Sequence, residues 1–341
     1  MSLSTLIIFV VVAYYKKSQP QSNGFFRLLK SEILISIDNF DLGYNSYYFA
    51  GISSRHFYLG NFIATTSLLR MKHNFEDTTF FQLKFPIDTK LDWRRLKVRV
   101  DYPNVYVMEG TTPVMFYSRL PSLEMKETDL DKTFFTESIP LSSNSAILKV
   151  FDRRLEQYVL TKKIAKVPYN TPKSSILEKQ VEGRFSVDGL LKFEPETSSL
   201  VYLYYYRNQF ISLDTALNIV YKGSTIDTVT KAQINVAHLK SESSYTMSSP
   251  SLLVNKRLCL TPDFIFIQSA RKADNEDQKS FKQSVVIDAY AIKNGDYQFS
   301  FYLPNFKKSK LRDFMIYNDR LVAIFDQYLC TYRLKFSSEI F

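Results

Sequence analysis

The sequence has few of the residues that most catalytic and metal sites need. Its two cysteines, Cys259 and Cys330, are too few for a disulfide framework or a zinc site, although a single bridge between them stays an open alternative. No two of its three histidines stand at metal-ligand spacing. It contains no Walker A loop, nucleophile elbow, zincin helix, dinucleotide-binding glycine pattern or EF-hand loop. We therefore expect no metal site and no cofactor.

The positive charge of the chain is not concentrated at any point in the sequence. The formal net charge is +10, yet no long run of like charges occurs. A nucleic-acid site usually gathers its charge on one element, so nucleic acid is not an expected partner. An excess of dispersed surface lysines accounts for the same balance.

Glycine is scarce, whereas aromatic residues are abundant. Only 9 glycines occur beside 28 phenylalanines and 23 tyrosines. Aromatic and β-branched side chains favour strands, and a strand protein with few glycines must place asparagine and aspartate in its turns. Four pairs that tolerate a positive φ predict hairpin turns: Glu109-Gly110, Asp188-Gly189, Asn294-Gly295 and Asn318-Asp319.

Six similar apolar runs recur along the chain at intervals close to the length of one propeller blade. They occupy residues 56–59, 105–108, 146–150, 200–204, 264–267 and 321–325. After each run a second strand-like run follows, at residues 67–71, 114–117, 158–160, 209–213, 285–289 and 328–332. This pattern predicts an all-β, six-bladed β-propeller, in which each repeat is one antiparallel sheet.

The two ends of the repeat region complement each other. The last repeat lacks an outer strand, and residues 32–37 (EILISI) form a strand with no repeat of their own. Pairing of the two would close the ring and remove an exposed sheet edge. A β-sandwich also has regularly spaced strands, but it does not predict a missing strand at one end and a spare at the other. We assign the propeller to residues 31–341.

A short apolar segment precedes the predicted propeller. Residues 3–15 (LSTLIIFVVVAYY) suit a signal-peptide core or a marginal membrane anchor, so we assign residues 1–17 to this role and residues 18–30 to a polar linker. Lys16 and Lys17 follow the run and no positive charge precedes it, which by the positive-inside rule conflicts with export. A buried strand of the domain is the alternative.

Three stretches resemble the six-bladed, TolB-like propellers of bacterial envelopes. They are residues 189–195 (GLLKFEP), 204–211 (YYYRNQFI) and 311–314 (LRDF). The resemblance covers most of residues 31–341. It implies a propeller fold and export to the periplasmic side of the cell envelope, as a membrane-anchored or secreted protein.

Candidate binding residues follow from propeller geometry, because the starts of the innermost strands and the nearby tight loops face the usual ligand surface. A ring of arginines there could bind a carboxylate or phosphate through its fork of donors. The alternative is that these arginines hold neighbouring blades together. The candidates are Arg94, Arg95, Tyr206, Arg207, Asn208, Lys256, Arg257, Arg312 and Asp313.

Two classes of function remain. The absence of a catalytic pattern favours a non-enzymatic binding or scaffold propeller, with protein, peptide or glycan as the partner and the membrane contacted through the N-terminal segment. The alternative is a glycan- or peptide-processing enzyme with its active site at the channel mouth, since two acids from distant blades could converge. The acids considered for that role are Asp101, Asp188, Asp214 and Asp313.

Overall fold

The six apolar runs each form the second strand of an antiparallel sheet in the computed structural model of the chain. The structure describes residues 22–87, 89, 91–130, 132–167, 176–181, 185–239 and 244–335. Each second strand is buried along nearly its whole length, because its sheet is covered on both faces. The predicted third strands follow in the same sheets. The prediction of an all-β, six-bladed β-propeller is confirmed.

The strands run in chain order from the innermost to the outermost strand of each blade. Strand β1 (Leu34–Asp41) precedes the first blade. Blade 1 contains β2 (Tyr47–Ile52), β3 (His56–Asn61), β4 (Ser67–Lys72) and β5 (Thr79–Gln82). Blade 2 contains β6 (Lys97–Asp101), β7 (Asn104–Glu109), β8 (Val114–Arg119) and β9 (Lys126–Thr128). Blade 3 contains, among the described residues, β10 (Glu137–Ser142), β11 (Ser145–Asp152) and β12 (Gln157–Ile164).

The second half of the chain repeats the arrangement. Blade 4 contains β13 (Gly189–Glu194), β14 (Ser199–Tyr204), β15 (Gln209–Leu213) and β16 (Ile219–Ser224). A separate hairpin follows, made of β17 (Val236–Leu239) and β18 (Ser244–Met247). Blade 5 contains β19 (Asn255–Leu260), β20 (Phe264–Ser269), β21 (Ser284–Ala291) and β22 (Tyr297–Pro304). Blade 6 contains β23 (Leu311–Tyr317), β24 (Arg320–Phe325) and β25 (Tyr328–Leu334).

The hydrophobic core is divided among the junctions between adjacent blades. Six clusters of buried apolar residues occur, and each joins side chains from two neighbouring blades, including one that joins blade 6 to blade 1. In β14, for example, Tyr202 packs toward blade 3 and Leu203 packs toward blade 5. Successive side chains of a strand point to opposite faces, so every second strand supplies two junctions. A sandwich has one core between two sheets, and this arrangement excludes it.

Strand β1 supplies the outermost strand of blade 6. It pairs antiparallel with β25, with Leu34 opposite Leu334 and Ile35 opposite Arg333. Ile33, just before β1, is buried in the cluster between blades 5 and 6. The predicted closure of the ring by an N-terminal strand is confirmed.

Residues 22–30, which we call the strap, lie against blade 5. The backbone of Lys30 donates to the Ser300 carbonyl at 2.8 Å, so the strap continues the sheet beyond β22. The Arg27 guanidinium is fully buried and forms ion pairs with Asp288, at 2.7 Å, and with Glu276. The described part of the predicted linker, residues 22–30, is therefore fastened to the propeller. The apolar segment 1–17 lies outside the described residues.

Helical structure among the described residues is limited to short pieces. Two 3-10 turns, Trp93–Arg95 and Phe185–Val187, lead into the innermost strands of blades 2 and 4, and helix α1 (Gln278–Gln283) lies within blade 5. In the part of the chain that the structure describes, no helix has the length and apolar character needed to cross a membrane. Cys259 and Cys330 are both buried, and they form no disulfide bond.

Candidate binding site at the channel mouth

The strand order decides which loops share a rim of the propeller. Innermost strands begin on one rim, which we call the upper rim, and the turn between the second and third strands returns to it. The turns between first and second strands, and between third and fourth strands, lie on the opposite, lower rim. Innermost strands of neighbouring blades contact one another at five of the six junctions, so their starts surround the mouth of the central channel.

Four cations from blades 5 and 6 lie together at this mouth, and we call them the basic cluster. Lys256 and Arg257 belong to the first half of β19, while Lys310 and Arg312 flank the start of β23. The Arg257 Nε donates to the Arg312 carbonyl, and the Arg312 Nη1 donates to the Asp326 carbonyl at 2.8 Å. Arg257 thus links blade 5 to blade 6, as the blade-holding alternative requires, whereas the Arg312 bond stays within blade 6.

No carboxylate neutralises the basic cluster. None of its four side chains forms an ion pair with an acid among the described residues. Burial, together with the charges of Lys310 and Arg257, lowers the pKa of Lys256. Burial also lowers the pKa of Arg312, and Arg257 adds to that effect against the opposing charges of Asp326 and Asp313. Four cations without an ion-pair partner among the described residues make the cluster a favourable place for an anion.

Asp313, the remaining candidate in this region, follows Arg312 in β23. Its carboxylate accepts a hydrogen bond from the backbone of Phe314 at 3.0 Å. It is half-buried beside the basic cluster, and its charge and that of Asp326 oppose the four positive charges. The mouth therefore stays positive at this side.

Two tyrosines border the basic cluster from blade 4. The carbonyl of Tyr205 accepts hydrogen bonds from Val254 and Asn255 at 2.8 and 3.1 Å, which ties the residue to the start of β19. Burial and the charges of Glu137 and Asp188 raise the pKa of Tyr205, and Arg257 opposes them, so its hydroxyl lies among groups of three blades. The ring of Tyr206 lies 6.1 Å from that of Tyr205 and is half-buried.

The acids nearest the mouth already have a cationic partner. Lys149 of β11 is buried, and its Nζ lies 3.3 Å from the Glu137 carboxylate and 3.6 Å from that of Asp188. The same ammonium lies over the rings of Tyr158 and Tyr202, at 5.0 and 5.6 Å. These contacts bind blade 3 to blade 4, and they neutralise two carboxylates that would otherwise be candidates for acid–base chemistry.

Arg207 and Asn208 lie beneath the upper rim, in the turn between β14 and β15. The Arg207 guanidinium is buried, stacks on Tyr204 at 3.5 Å, and donates to the carbonyls of Glu178 and Ser186 at 3.0 and 3.4 Å. The side-chain amide of Asn208 donates to the Asp227 carbonyl at 2.6 Å. Both residues hold the turn that carries Tyr206, and they offer little surface to a ligand.

Arg94 and Arg95 lie away from the basic cluster. They belong to the 3-10 turn before β6 in blade 2, which is across the ring from blade 5. Arg95 is exposed and forms an ion pair with Asp92 at 3.2 Å. The structure thus brings together Lys256, Arg257, Arg312 and Asp313 with Tyr206 at one side of the mouth and leaves this pair separate.

Sequence reasoning missed Tyr205, which directly precedes the selected Tyr206, and Lys310, which lies two positions before the selected Arg312. The run of tyrosines at residues 204–206 and the lysine directly before β23 were the available signals. Among the described residues, no group of three or more His, Cys, Asp or Glu side chains is placed to hold a metal ion. Asp101 ends β6 and Asp214 directly follows β15, both on the lower rim, so the four acids considered for catalysis do not converge.

Comparisons with known proteins give structural neighbours only. Neither a family model nor a curated protein matches the sequence. BamB from Moraxella catarrhalis has a TM-score of 0.42 and 10% identity, over 89% of this chain and 100% of that chain. Virginiamycin B lyase from Staphylococcus aureus has a TM-score of 0.47 and 6% identity, over 89% and 99%. YCF48 bound to D1 peptide has a TM-score of 0.48 and 10% identity, over 91% and 99%.

Proposed function

We propose that the chain is a non-enzymatic binding propeller whose upper rim holds an acidic segment of a protein or peptide partner. The observation that carries the proposal is the basic cluster, four cations at the channel mouth without a carboxylate partner among the described residues. The half-buried tyrosines beside it offer apolar contact area next to the charge, a combination typical of protein interfaces.

The same surroundings disfavour the enzyme alternative. Acid catalysis on a glycan needs two carboxyl groups that flank the reacting bond, with one held protonated. At this mouth, Glu137 and Asp188 share the ammonium of Lys149 instead. Both carboxylates therefore serve as partners of Lys149 at the junction of blades 3 and 4.

The test is binding of a fluorescein-labelled polyglutamate peptide to the full chain at low salt, followed by fluorescence anisotropy. Lys256→Gln with Lys310→Gln removes two charges that hold no backbone contact, while Arg257 keeps its contact between blades. We expect roughly five- to tenfold weaker binding, because charges at an interface mainly change electrostatic attraction. Binding by the parent chain should also weaken as salt is added.

The matched control is Lys279→Gln with Lys282→Gln, which removes two exposed charges from helix α1 in blade 5. It should bind the peptide as the parent chain does. Equal affinity of the two double variants would refute the assignment of the upper rim. Tighter binding of a single-stranded oligonucleotide than of the peptide would replace it with nucleic-acid recognition.

We also propose an envelope location for the chain, as a TolB-like propeller that is exported or anchored by its N-terminal segment. Support comes from the resemblance of residues 189–195, 204–211 and 311–314 and from the apolar run at residues 3–15. Cell fractionation with N-terminal sequencing of the mature protein should recover it in the envelope or periplasmic fraction. Recovery of an uncleaved product in the cytoplasm would contradict this location.

A further inference from the structure

An open cleft on the lower rim lies where the ring closes, between blades 1 and 6. Its volume is about 280 Å³, and it is lined by Ser54, Arg55, Lys72, His73, Asn74 and Arg320. Blade 1 supplies the turn before β3 and the turn after β4, and blade 6 supplies the first residue of β24. Four of the six lining residues carry basic side chains, contributed by three separate chain segments.

Two guanidinium groups of the cleft are without a partner among the described residues. Neither Arg55 nor Arg320 forms an ion pair with an acid or a side-chain hydrogen bond. Asp319, next to Arg320, lies 3.6 Å from Arg333 instead. Lys72 lies 3.2 Å from Asp77, but both side chains are about half exposed, so solvent screens much of that pairing.

His73 completes the wall of the cleft. Its ring stacks on buried Phe57, with the centroids 4.5 Å apart, and its Nε2 is buried without a hydrogen-bond partner among the described residues. A buried polar atom that lacks a partner is costly. Burial lowers the pKa of His73, and the charge of Arg320 acts in the same direction.

We propose that this cleft binds the phosphate monoester group of a small phosphorylated molecule. A phosphate monoester carries nearly two negative charges and three acceptor oxygens at neutral pH, which suits two guanidinium forks and an ammonium. A single carboxylate would leave most of these donors unused. The volume lies just below the usual range of small-molecule sites, about 300–1,000 Å³, so it suits a small ligand or one polar end of it. The upper-rim site lies on the opposite face, and the two proposals stand independently.

The test is titration of the full chain with phenyl phosphate, inorganic phosphate and acetate at low salt, followed by calorimetry. Phenyl phosphate should bind at least as tightly as inorganic phosphate and at least about tenfold more tightly than acetate, since charge-assisted contacts add with the number of acceptors. Arg55→Gln with Arg320→Gln should weaken phenyl phosphate binding about tenfold or more.

The matched control is Arg153→Gln with Arg154→Gln, which removes two exposed charges from the turn between β11 and β12 of blade 3. It should bind phenyl phosphate as the parent chain does, and both double variants should melt with the parent chain. Equal binding by the two variants would overturn the assignment to this cleft. If acetate bound as tightly as phosphate, the proposed preference for a dianion would be wrong. If inorganic phosphate bound clearly more tightly than phenyl phosphate, the proposed preference for a phosphate ester would be wrong. Polyglutamate binding at the upper rim should be unaffected by either variant.

Discussion

Arg27 holds the strap against blade 5 through several individual contacts. Its guanidinium donates to Asp288 and Glu276, and the ring of Phe25 lies 5.1 Å from it. Burial alone would lower the pKa of Arg27, but the two carboxylates outweigh it and hold the pKa above its ordinary value. Ser300 and Tyr302 donate to the same carboxylates, each at 2.6 Å, so the acids accept from several donors at once.

Replacing Arg27 with alanine would leave Asp288 and Glu276 buried without their cation. We expect Arg27→Ala to lower the free energy of unfolding by about 3–5 kcal/mol, the usual cost of breaking a buried ion pair from one side. Urea denaturation measures this value. Lys30→Ala, on the exposed side of the same strap, should change it by less than about 0.5 kcal/mol. Similar values for both variants would mean that the strap is not held by Arg27.

The two cysteines behave as apolar core residues. Burial raises the pKa of the Cys259 thiol to about 12 and that of Cys330 to about 11. The backbone of Ile316 donates to the Cys259 sulfur at 3.2 Å. Both thiols therefore stay protonated at neutral pH, when they are poor nucleophiles.

Among the elements, the second strands were the easiest to predict from the sequence. Because β7 and β14 are covered on both faces, most of their residues are apolar. Such apolar runs can be recognised in the sequence without knowledge of the fold. The outermost strand β9, Lys126–Thr128, has only three residues and lies at a solvent-exposed edge. Its polar sequence carries no strand signal, so its place in blade 2 could not be predicted.

The turn pairs were predicted with one error. Glu109-Gly110, Asn294-Gly295 and Asn318-Asp319 stand at hairpin turns. Gly189, however, begins β13, where a Cβ atom would lie 2.2 Å from the carbonyl oxygen of Leu203. Glycine is needed there for close backbone approach, and a single sequence does not distinguish that need from a turn.

The strap and the candidate site depend on long-range contacts, which local sequence patterns do not reveal. Residues 18–30 have the composition of a linker, and the partners of Arg27 lie about 250 positions further along the chain. Likewise, Arg207 has the appearance of an exposed loop arginine, but it donates to the carbonyls of Glu178 and Ser186 and to the side chain of Gln209. Strand starts could be assigned to the upper rim from topology alone, which is why Lys256, Arg257, Arg312 and Asp313 were selected as candidates.

At the scale of the whole molecule, closure of the ring links the buried core to both proposed sites. Six clusters of buried residues form a continuous ring, and the cluster between blades 6 and 1 uses the same strands that border the lower-rim cleft. The upper-rim basic cluster also spans a junction, between blades 5 and 6. Loss of closure would therefore disturb both proposed sites together, whereas each charge variant affects one.

The closure itself is tested most directly by a disulfide between β1 and β25. Ile35 and Arg333 are exposed and face each other in the register of the two strands. Paired antiparallel residues have Cα atoms about 4.5–5.5 Å apart, within the span of a disulfide. Ile35→Cys with Arg333→Cys should form this bond under mild oxidation, as peptide mapping by mass spectrometry of the monomer would show.

The control variant combines Ile35→Cys with Arg119→Cys in blade 2, and its two introduced cysteines should remain unlinked. Free thiols at positions 35 and 333 in the folded, oxidised protein would contradict the closed ring.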